Sequence, residues 1–241
     1  MILALETATR ACSAALFAPS GELLGQRHAE DGPAHTQLLL PFVHAILSAA
    51  AIDIEAVGTV VVSLGPGSYT GLRIGVATAR ALAAAGAELQ LAGVPTLAAL
   101  AWALAAESQA AESRRLVPLI DGRRKEVFAA CYEQRRGGLR SLVLAGAEGR
   151  DADEAVVPVD RLGEFLATWP DALVGGDGAH LHADRLPAGV RLSSAVAAPT
   201  AVMVGRAFLA GVPGCVAGLA DVLPIYGRTP DAVRWAQAAE L

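Results

Sequence analysis

The most distinctive chemistry-bearing stretch of the sequence is a glycine-rich loop, SLGPGSYTGLRIG, at residues 63–75. It follows an apolar run at 57–62 and precedes a helical pattern at 72–85, which predicts the order strand, glycine loop, helix. Backbone N–H groups and a helix N-terminus in this setting can bind a phosphate. Neither common phosphate motif fits, because the dinucleotide pattern needs glycine where Thr70 stands and the P-loop pattern needs Gly-Lys-Ser/Thr where Gly71-Leu72-Arg73 stands.

Two acidic residues each close an apolar strand pattern. Glu6 follows Leu3-Ala4-Leu5, and Asp121 follows Pro118-Leu119-Ile120. In both places a second apolar strand begins six residues after the acid, as CSAALF in one half and VFAACY in the other. The two acids lie 115 residues apart, which is too long a period for a solenoid. The correspondence therefore indicates two similar lobes.

The predicted elements have the same order in both halves. In the first half, strands at 2–5, 12–17 and 22–29 precede a helix at 36–50, a strand at 57–64, a helix at 72–85, a strand at 89–92 and a helix from 96. In the second half, strands at 116–120, 126–132 and 139–144 precede a helix at 160–168, a strand at 172–175 and a helix at 200–210. We place two tandem βββαβα lobes at residues 1–110 and 111–241, with the last helices packing back on the first lobe. Two such α/β lobes facing each other describe the actin-like ATPase (ASKHA, ribonuclease-H-like) fold.

An actin-like fold offers a nucleotide site between its lobes, but fold alone does not give function. Glu6 stands where this fold commonly has aspartate, so its carboxylate reaches one methylene further and alters any metal–water geometry. We interpret the site as weak or vestigial for ATP or ADP, with no hydrolysis and no required cofactor. The alternative is that glycine turns and strand-end acids are scaffold features only. The residues assigned to this site are Glu6, Gly65, Gly67, Asp121, Gly175 and Gly176.

Composition excludes a strongly basic protein. The net charge is −5 and the sequence pI about 5.5, so no global field draws the chain to nucleic acid or anionic lipid. Eight of the 19 basic residues nevertheless fall within residues 114–140. A solvated set of strand edges is the simpler interpretation, and contact with tRNA is the alternative.

The cellular setting is predicted to be the cytoplasm. The three cysteines are far apart and form no CxxC pair, which suits buried thiols in a reducing compartment. The N-terminus lacks the basic region of a signal peptide. Residues 89–106 are uncharged over the length of a membrane span, but Gln90, Gly93 and Pro95 divide them into a strand, a turn and a helix. No membrane partner is expected.

Six stretches together resemble one family. They are ILALETATRACSAAL, HTQLLLPFV, SLGPGSYTGLRIGVATARALA, GVPTLAALA, DGRRKEVFAACY and DVLPIYGR, in this order along both lobes. The chain resembles the TsaB (YeaZ) family, which belongs to the actin-like superfamily. The resemblance implies a role in making N6-threonylcarbamoyladenosine in tRNAs that read ANN codons. It implies a TsaD-type transferase as partner, which uses threonylcarbamoyl-adenylate, and a TsaE-type ATPase that completes the system.

Transferases of the TsaD type share the glycine loop and add a His-x-x-x-His pair after a Gly-Val dipeptide. Histidines at i and i+4 lie on one helix face and can bind one metal ion. In this sequence the corresponding positions after Gly93-Val94 hold Thr96 and Leu100, which cannot replace imidazole ligands. Of the five histidines, His180 and His182 could share a face only in a strand, and His35 suits a hydrogen bond or a partner contact. No metal and no catalytic residue are therefore assigned.

We expect a non-catalytic subunit that binds and activates the transferase as a heterodimer and meets tRNA through the complex. One alternative is a stand-alone actin-like ATP-dependent enzyme or a metallopeptidase-like relative. Another is a regulator that forms a homodimer in isolation.

The helices of the first lobe are the expected partner surface. Small residues recur every four positions, at Gly71, Gly75, Ala79 and Ala83, and such a row leaves a groove for another helix. Replacing Gly75 or Ala79 with leucine should then weaken the heterodimer while the isolated chain stays folded. The alternative is that both helices pack on their own sheet. The residues assigned to the partner surface are Leu39, Val43, Leu72, Gly75, Val76 and Ala79.

Overall fold

The first half of the chain forms three antiparallel strands followed by alternating helices and strands. The computed structural model describes residues 1–30, 35–85, 89–108, 114–135, 138–142 and 154–227. The elements of the first half are β1 (Ile2–Glu6), β2 (Cys12–Phe17), β3 (Leu23–Ala29), α1 (His35–Ala49), β4 (Thr59–Ser63), α2 (Tyr69–Ala85), β5 (Gln90–Val94) and α3 (Thr96–Ser108). Helix α2 begins three residues before the predicted start, because the Ser68 hydroxyl accepts from the Gly71 N–H and the Ser68 carbonyl accepts from the Leu72 N–H.

The second half repeats this order with additions that the sequence patterns did not predict. Its elements are β6 (Arg114–Arg123), β7 (Glu126–Arg135), β8 (Gly138–Leu142), β9 (Glu154–Pro158), α4 (Leu162–Ala167), β10 (Leu173–Gly175), α5 (Asp177–Leu181), β11 (Arg191–Leu192), α6 (Ala201–Leu209) and β12 (Val216–Ala217). The elements missed were β9, α5, β11 and β12, which have two to five residues each and are too short to show a period. Part of the strand predicted at 139–144 lies outside the described residues.

The two sheets have the same topology. The first runs β5-β4-β1-β2-β3, with β12 added beside β5, and the second runs β11-β10-β6-β7-β8. In each, the first strand pairs antiparallel with the second and parallel with the fourth. In the second sheet the third-strand position is divided, because β8 pairs with residues 131–135 of β7 and β9 pairs with residues 126–130. The predicted α/β fold of two actin-like lobes is confirmed.

The central strands bury both faces, and alternate side chains enter different layers. In β1, Leu3 and Leu5 point to the side of α1 and α2, whereas Ala4 points to the side of α3. In β6, Val117 and Leu119 point to the side of α4, and Ile120 points back to α3. Because alternate side chains are buried on opposite faces, each sheet is covered by helices on both sides. The molecule therefore has five layers, which are α1/α2, the first sheet, α3/α6, the second sheet and α4/α5.

The two middle helices are exchanged between the lobes. Helix α3, from the first half, packs against β6, β7 and β10, and α6, from the second half, packs against β1, β2, β4 and β5. Helix α3 is apolar all round from Leu97 to Leu104, the part that lies between the two sheets, and it also contacts α6. No helix among the described residues is long and apolar enough to cross a membrane, and the run at 89–106 divides into β5 and α3.

Candidate functional site

Three acidic residues lie where the central strands of the two sheets end. Glu6 is the last residue of β1, Asp121 lies near the end of β6, and Asp177 is the first residue of α5, directly after β10. Glu6 and Asp177 belong to different lobes, yet they are close enough for the Asp177 charge to raise the pKa of Glu6. The fold therefore brings the two predicted acids into one region between the lobes and adds a third.

Glu6 is fully buried, and only one of its two carboxylate oxygens is hydrogen-bonded within the described residues. Its Oε1 accepts a hydrogen bond from the Ala8 N–H, whereas Oε2 has no partner among the described residues. The hydroxyl of Ser63, at the end of the neighbouring strand β4, lies near the carboxyl but also lacks a partner within hydrogen-bond distance in the described part of the chain. Burial raises the pKa of Glu6 to about 7, and the Ala8 N–H and the Ser63 hydroxyl offset part of that rise. The group thus exchanges its proton near neutral pH.

Of the two acids of the second lobe, Asp177 binds the backbone of Asp121, whereas Asp121 binds its own hairpin. Asp177 Oδ1 accepts from the Asp121 N–H at 3.2 Å and from the Gly178 N–H at 3.0 Å, and burial raises the pKa of Asp177 to about 6. Asp121 Oδ1 accepts from the Arg123 N–H at 2.8 Å, so this carboxylate turns back into its own hairpin. Asp177 was not assigned a role from the sequence. The available signal was an acid placed directly after two glycines at a strand end.

The glycine loop is packed against the chain itself. The Gly65 N–H donates to Thr96 Oγ1 at 3.0 Å, the Ser68 N–H donates to the Ala8 carbonyl at 2.6 Å, and the Gly71 N–H donates to Ser68 Oγ. A side chain at Gly67 would overlap the Ala8 carbonyl. These amides are consumed inside the protein, whereas a phosphate cradle needs them directed at the ligand. The loop geometry therefore fits close backbone packing, and these three N–H groups are not directed at a ligand.

The glycines of the second lobe have the same kind of explanation. A side chain at Gly175 would come within 2.8 Å of Leu104 Cδ2 and 2.9 Å of the Val196 carbonyl. Gly176 has a φ of +102°, a side chain there would overlap the Leu119 carbonyl, and its N–H donates to Val196. The six residues assigned to a nucleotide site thus gather at the facing ends of the sheets, with four glycines used for packing. Nucleotide binding itself stays a prediction.

The residues predicted to contact a partner lie on the inward faces of their helices. Leu39, Val43, Leu72, Gly75, Val76 and Ala79 are all buried within the chain. On α2 the row is covered by Thr7, which donates from Oγ1 to the Gly71 carbonyl at 2.8 Å and would overlap a side chain at Gly75. On α1, Leu39 and Val43 belong to the side that packs against β2 and β3. The small-residue row receives the segment after β1, so the alternative of internal packing is correct for these side chains.

A second row of α2, displaced by two residues, faces outward. Arg73, Ala77, Ala81 and Ala85 are exposed, because two residues on a helix correspond to about 200° of rotation. On α1 the exposed positions are Thr36, Gln37, Leu40, Pro41, His44, Ser48 and Ala49. We call the exposed residues of α1 and α2 together the outer helical face. Helix α1 has 15 residues and α2 has 17. Together they carry no acidic residue, and their only arginines or lysines are Arg73 and Arg80.

The basic residues within 114–140 do not form one patch. Arg114, Arg115, Arg135 and Arg140 lie at one end of the β6–β7 hairpin, and residues 123–125 form its turn about 30 Å away along the strand. At the first end, Arg115 and Arg135 both bind the Glu133 carboxylate, which is 9% exposed and so nearly buried. This ion pair favours the structural interpretation for these two arginines, and contact with tRNA stays untested. Arg136 lies outside the described residues.

The histidine positions do not form a metal centre in the described part of the chain. Thr96 and Leu100 are fully buried, and the Thr96 hydroxyl is used by the glycine loop. His180 is exposed on the short helix α5, and His35 Nε2 lies 3.1 Å from the Ala11 carbonyl. Among the described residues, no three His, Cys, Asp or Glu side chains are grouped so that they could hold a metal ion.

One known structure matches nearly the whole chain. The structure is similar to that of YeaZ from Pseudomonas aeruginosa, with a TM-score of 0.72 and 31% identity over 93% of this chain and 98% of that one. The tRNA threonylcarbamoyladenosine biosynthesis protein TsaB of Escherichia coli strain K12 is 38% identical over 169 residues, which are 70% of this chain and 68% of that protein. The chain belongs to the TsaB (YeaZ) family. The Bacillus subtilis TsaB protein is 32% identical over 113 residues, 45% of each chain.

A family shared with the transferase also matches. Residues 22–151 fit the family described as TsaD, tRNA N6-adenosine threonylcarbamoyltransferase. The match contains the glycine loop and the stretch from Gly93 to Leu100. Within it, Thr96 and Leu100 are fully buried at the two positions where the resemblance described above places the histidine pair of a transferase.

Proposed function

We propose that this TsaB-family chain is a non-catalytic subunit that binds and activates a TsaD-type transferase. The observation that carries the proposal is the chemistry at Thr96 and Leu100. Both side chains are fully buried in α3, and the Thr96 hydroxyl already accepts from the Gly65 N–H, so neither position can hold the metal ion of a transferase. The chain thus keeps the shared fold and its glycine loop without the residues that would perform the transfer.

The outer helical face is the proposed contact with the transferase. Leu40 is 53% exposed, and Ala77, Ala81 and Ala85 leave a shallow strip on α2 against which a helix backbone can approach closely. Apart from Arg73, this face on two long helices carries no exposed arginine, lysine or acid, although 18% of the residues of the chain are charged. Interface centres are depleted of charged residues in the same way. This face replaces the buried row as the proposed contact, while the helices themselves are those expected from the sequence.

The product of the complex is proposed to be N6-threonylcarbamoyladenosine in tRNAs that read ANN codons. The named relatives support the pathway, because they are called tRNA threonylcarbamoyladenosine biosynthesis proteins. In this proposal the transferase uses threonylcarbamoyl-adenylate, a TsaE-type ATPase completes the system in the cytoplasm, and tRNA binds the complex instead of this chain alone. The proposal requires no cofactor in this chain. Weak binding of ATP or ADP between the lobes is a separate proposal, which calorimetry with the isolated chain tests.

Reconstitution of tRNA modification tests the function. The transferase, the ATPase, threonylcarbamoyl-adenylate and tRNA are combined with and without this chain, and modified adenosine is measured by mass spectrometry. We expect modification only when the chain is present, and equal modification without it contradicts the proposal. The Ala81→Glu variant, which has a charge in the outer helical face, should not restore modification. The Ala183→Glu variant, altered at an exposed site of the second lobe, should restore it. A chain that remains a homodimer and ignores the transferase in light scattering also contradicts it.

A further inference from the structure

An exposed cluster of aromatic and basic side chains lies at the N-terminal end of α2. The rings of Tyr69 and Tyr226 have centroids 4.9 Å apart with an interplanar angle of 33°. The Arg73 guanidinium lies 5.3 Å from the centre of the Tyr69 ring and donates to the Tyr69 hydroxyl at 3.0 Å. Tyr69 is 54% exposed and Tyr226 39% exposed, although large aromatic side chains are generally well buried. We call these three residues the tyrosine cluster.

The cluster is held by residues 218–227, a segment that we call the strap. The strap runs along α2 in the opposite direction, because Arg80 donates to the carbonyls of Leu219 and Val222 while Tyr226 reaches Tyr69 at the start of the helix. The Ile225 N–H donates to the Leu64 carbonyl at 2.7 Å, and the Val222 side chain is fully buried. The backbone leading into Tyr226 is therefore fixed, and little conformational entropy would be lost if the ring bound a partner.

The outer side of the strap is largely apolar, with Asp221 as its exposed acid. Leu219 is 47% exposed and Leu223 is 55% exposed. Of the ten large apolar side chains that are exposed among the described residues, four belong to the strap or the tyrosine cluster, and Leu40 lies on the adjacent helix α1. Exposed apolar side chains that are grouped in this way mark an interaction surface, whereas scattered ones need no explanation.

The charge of this surface specifies the chemistry of the partner. Arg73 lies in the exposed row of α2, and no acidic side chain in the described part of the chain pairs with it. Neither α1 nor α2 contains an acid that could do so. A carboxylate on an otherwise apolar partner segment would form an ion pair with the Arg73 guanidinium. The apolar side chains of the same segment would cover Tyr226 and Leu223. Tyrosine and arginine are also the residues that most often dominate the binding energy of an interface.

We infer that the tyrosine cluster and the strap form the main energetic contact for an apolar, carboxylate-bearing segment of the transferase, an inference that rests on the proposed function. The surface is continuous with the outer helical face through the α2 row that begins at Arg73. It extends the contact from the helices of the first lobe to a segment near the end of the chain, which lies about 150 residues away in sequence from Tyr69.

Titration calorimetry of the chain with its transferase tests the inference. Tyr226→Ala and Arg73→Glu should each weaken binding by about 30-fold or more, the effect of a residue that dominates an interface. Arg73→Lys should lose less than Arg73→Glu, because it keeps the charge. The matched control is Leu181→Ala, since Leu181 is 60% exposed but lies on α5 in the second lobe, and its affinity should stay within about twofold.

Three other results would overturn the inference. If the unaltered chain binds the transferase and the variants bind equally well, the cluster is not the main contact and the proposed function stands. If the unaltered chain does not bind at all, both fall. If the variants form the complex normally but the complex loses affinity for tRNA, the cluster is an RNA-stacking site instead. Thermal midpoints of all variants exclude loss of folding, and Arg73→Glu changes only an exposed helical position.

Discussion

The two lobes have the same strand order but very different outer layers. In the first lobe the outer layer consists of α1 and α2, with 15 and 17 residues, and its exposed face is almost uncharged. In the second lobe it consists of α4 and α5, with 6 and 5 residues, which include Glu164, Asp177 and His180. Duplicated topology thus provides one lobe with a long, almost uncharged face and the other with short polar helices. This asymmetry is the reason for placing the proposed contact with the transferase on the first lobe.

The ends of the central strands differ in a second way. In the first lobe Glu6 is enclosed, with one carboxylate oxygen lacking a partner among the described residues. In the second lobe Asp177 accepts two backbone hydrogen bonds, which lower its pKa against the effect of burial. The acid that ends β1 is therefore less well satisfied than the acid that follows β10, although both lie where central strands end. The variants described below test both contrasts.

The largest expected effect distinguishes the buried row of α2 from the exposed one. Gly75→Leu would place a side chain on Thr7 and should lower the free energy of unfolding by about 3 kcal/mol or more. Ala77→Leu, two residues later on the exposed face, should change it by less than about 0.5 kcal/mol. Urea denaturation of the two isolated variants measures both values. Equal stability of the two variants would show that α2 does not lie in this orientation.

The next effect concerns the proton on Glu6. Because its pKa in the folded chain is about 7, against 4.5 for the free side chain, the folded state binds that proton more tightly than the unfolded state. The stability due to this group is therefore complete below pH 4.5 and falls as the pH rises to 7, by about 3 kcal/mol. Glu6→Gln should remove this fall. Denaturation curves at pH 5 and pH 8 measure it, and an equal decline in both proteins would refute the assignment.

Asp177→Asn sharpens the contrast between the two acids. Burial in the folded chain raises the pKa of Asp177 from 3.8 to about 6. The protein stability due to Asp177 should therefore be lost by about pH 6, whereas the stability due to Glu6 continues to fall up to pH 7. Asp177→Asn should thus flatten the decline between pH 4 and 6. Because the Asp177 charge raises the pKa of Glu6, the decline due to Glu6 should remain but shift slightly to lower pH. Stability measured at pH 4.5, 6 and 7 separates the two groups, and complete loss of the decline above pH 6 in this variant would mean that the two acids titrate as one unit.

The smallest effect concerns the exchanged helix α6. Thr200 caps this helix, since its hydroxyl accepts from the Met203 N–H at 3.3 Å, and Thr200→Ala should cost about 1 kcal/mol. Because α6 packs on the first sheet, the loss should appear in a single unfolding transition of both lobes. Calorimetry measures the transition. Two separate transitions would contradict the coupling that the exchanged helices provide.

Several features of the fold could be predicted because they depend on local patterns. Apolar runs that alternate with turns located β2 without error, and periodic leucines located α1 within one residue. The equal spacing after Glu6 and Asp121 predicted the repeat that the two sheets confirm. The short strands β9 and β11 could not be predicted, since partners distant in sequence stabilise them.

The site was predicted in position but not in detail. The sequence indicated Glu6 and Asp121, because an acid at a strand end is a local feature, but it did not indicate Asp177, whose contact with the Asp121 N–H spans 56 residues. The same holds for α2, where the row of small residues is visible in the sequence and the atoms that fill it, those of Thr7, are not.

The sequence by itself determined the two-lobed fold, the family and the absence of a histidine pair at Thr96 and Leu100, because these depend on residue types and on spacing along the chain. Only the tertiary structure decided which face of α2 is exposed, which glycines pack against backbone and that Tyr226 meets Tyr69. The physical reason is that a periodic pattern fixes the geometry within an element, whereas its orientation depends on contacts with segments that fold against it from elsewhere in the chain.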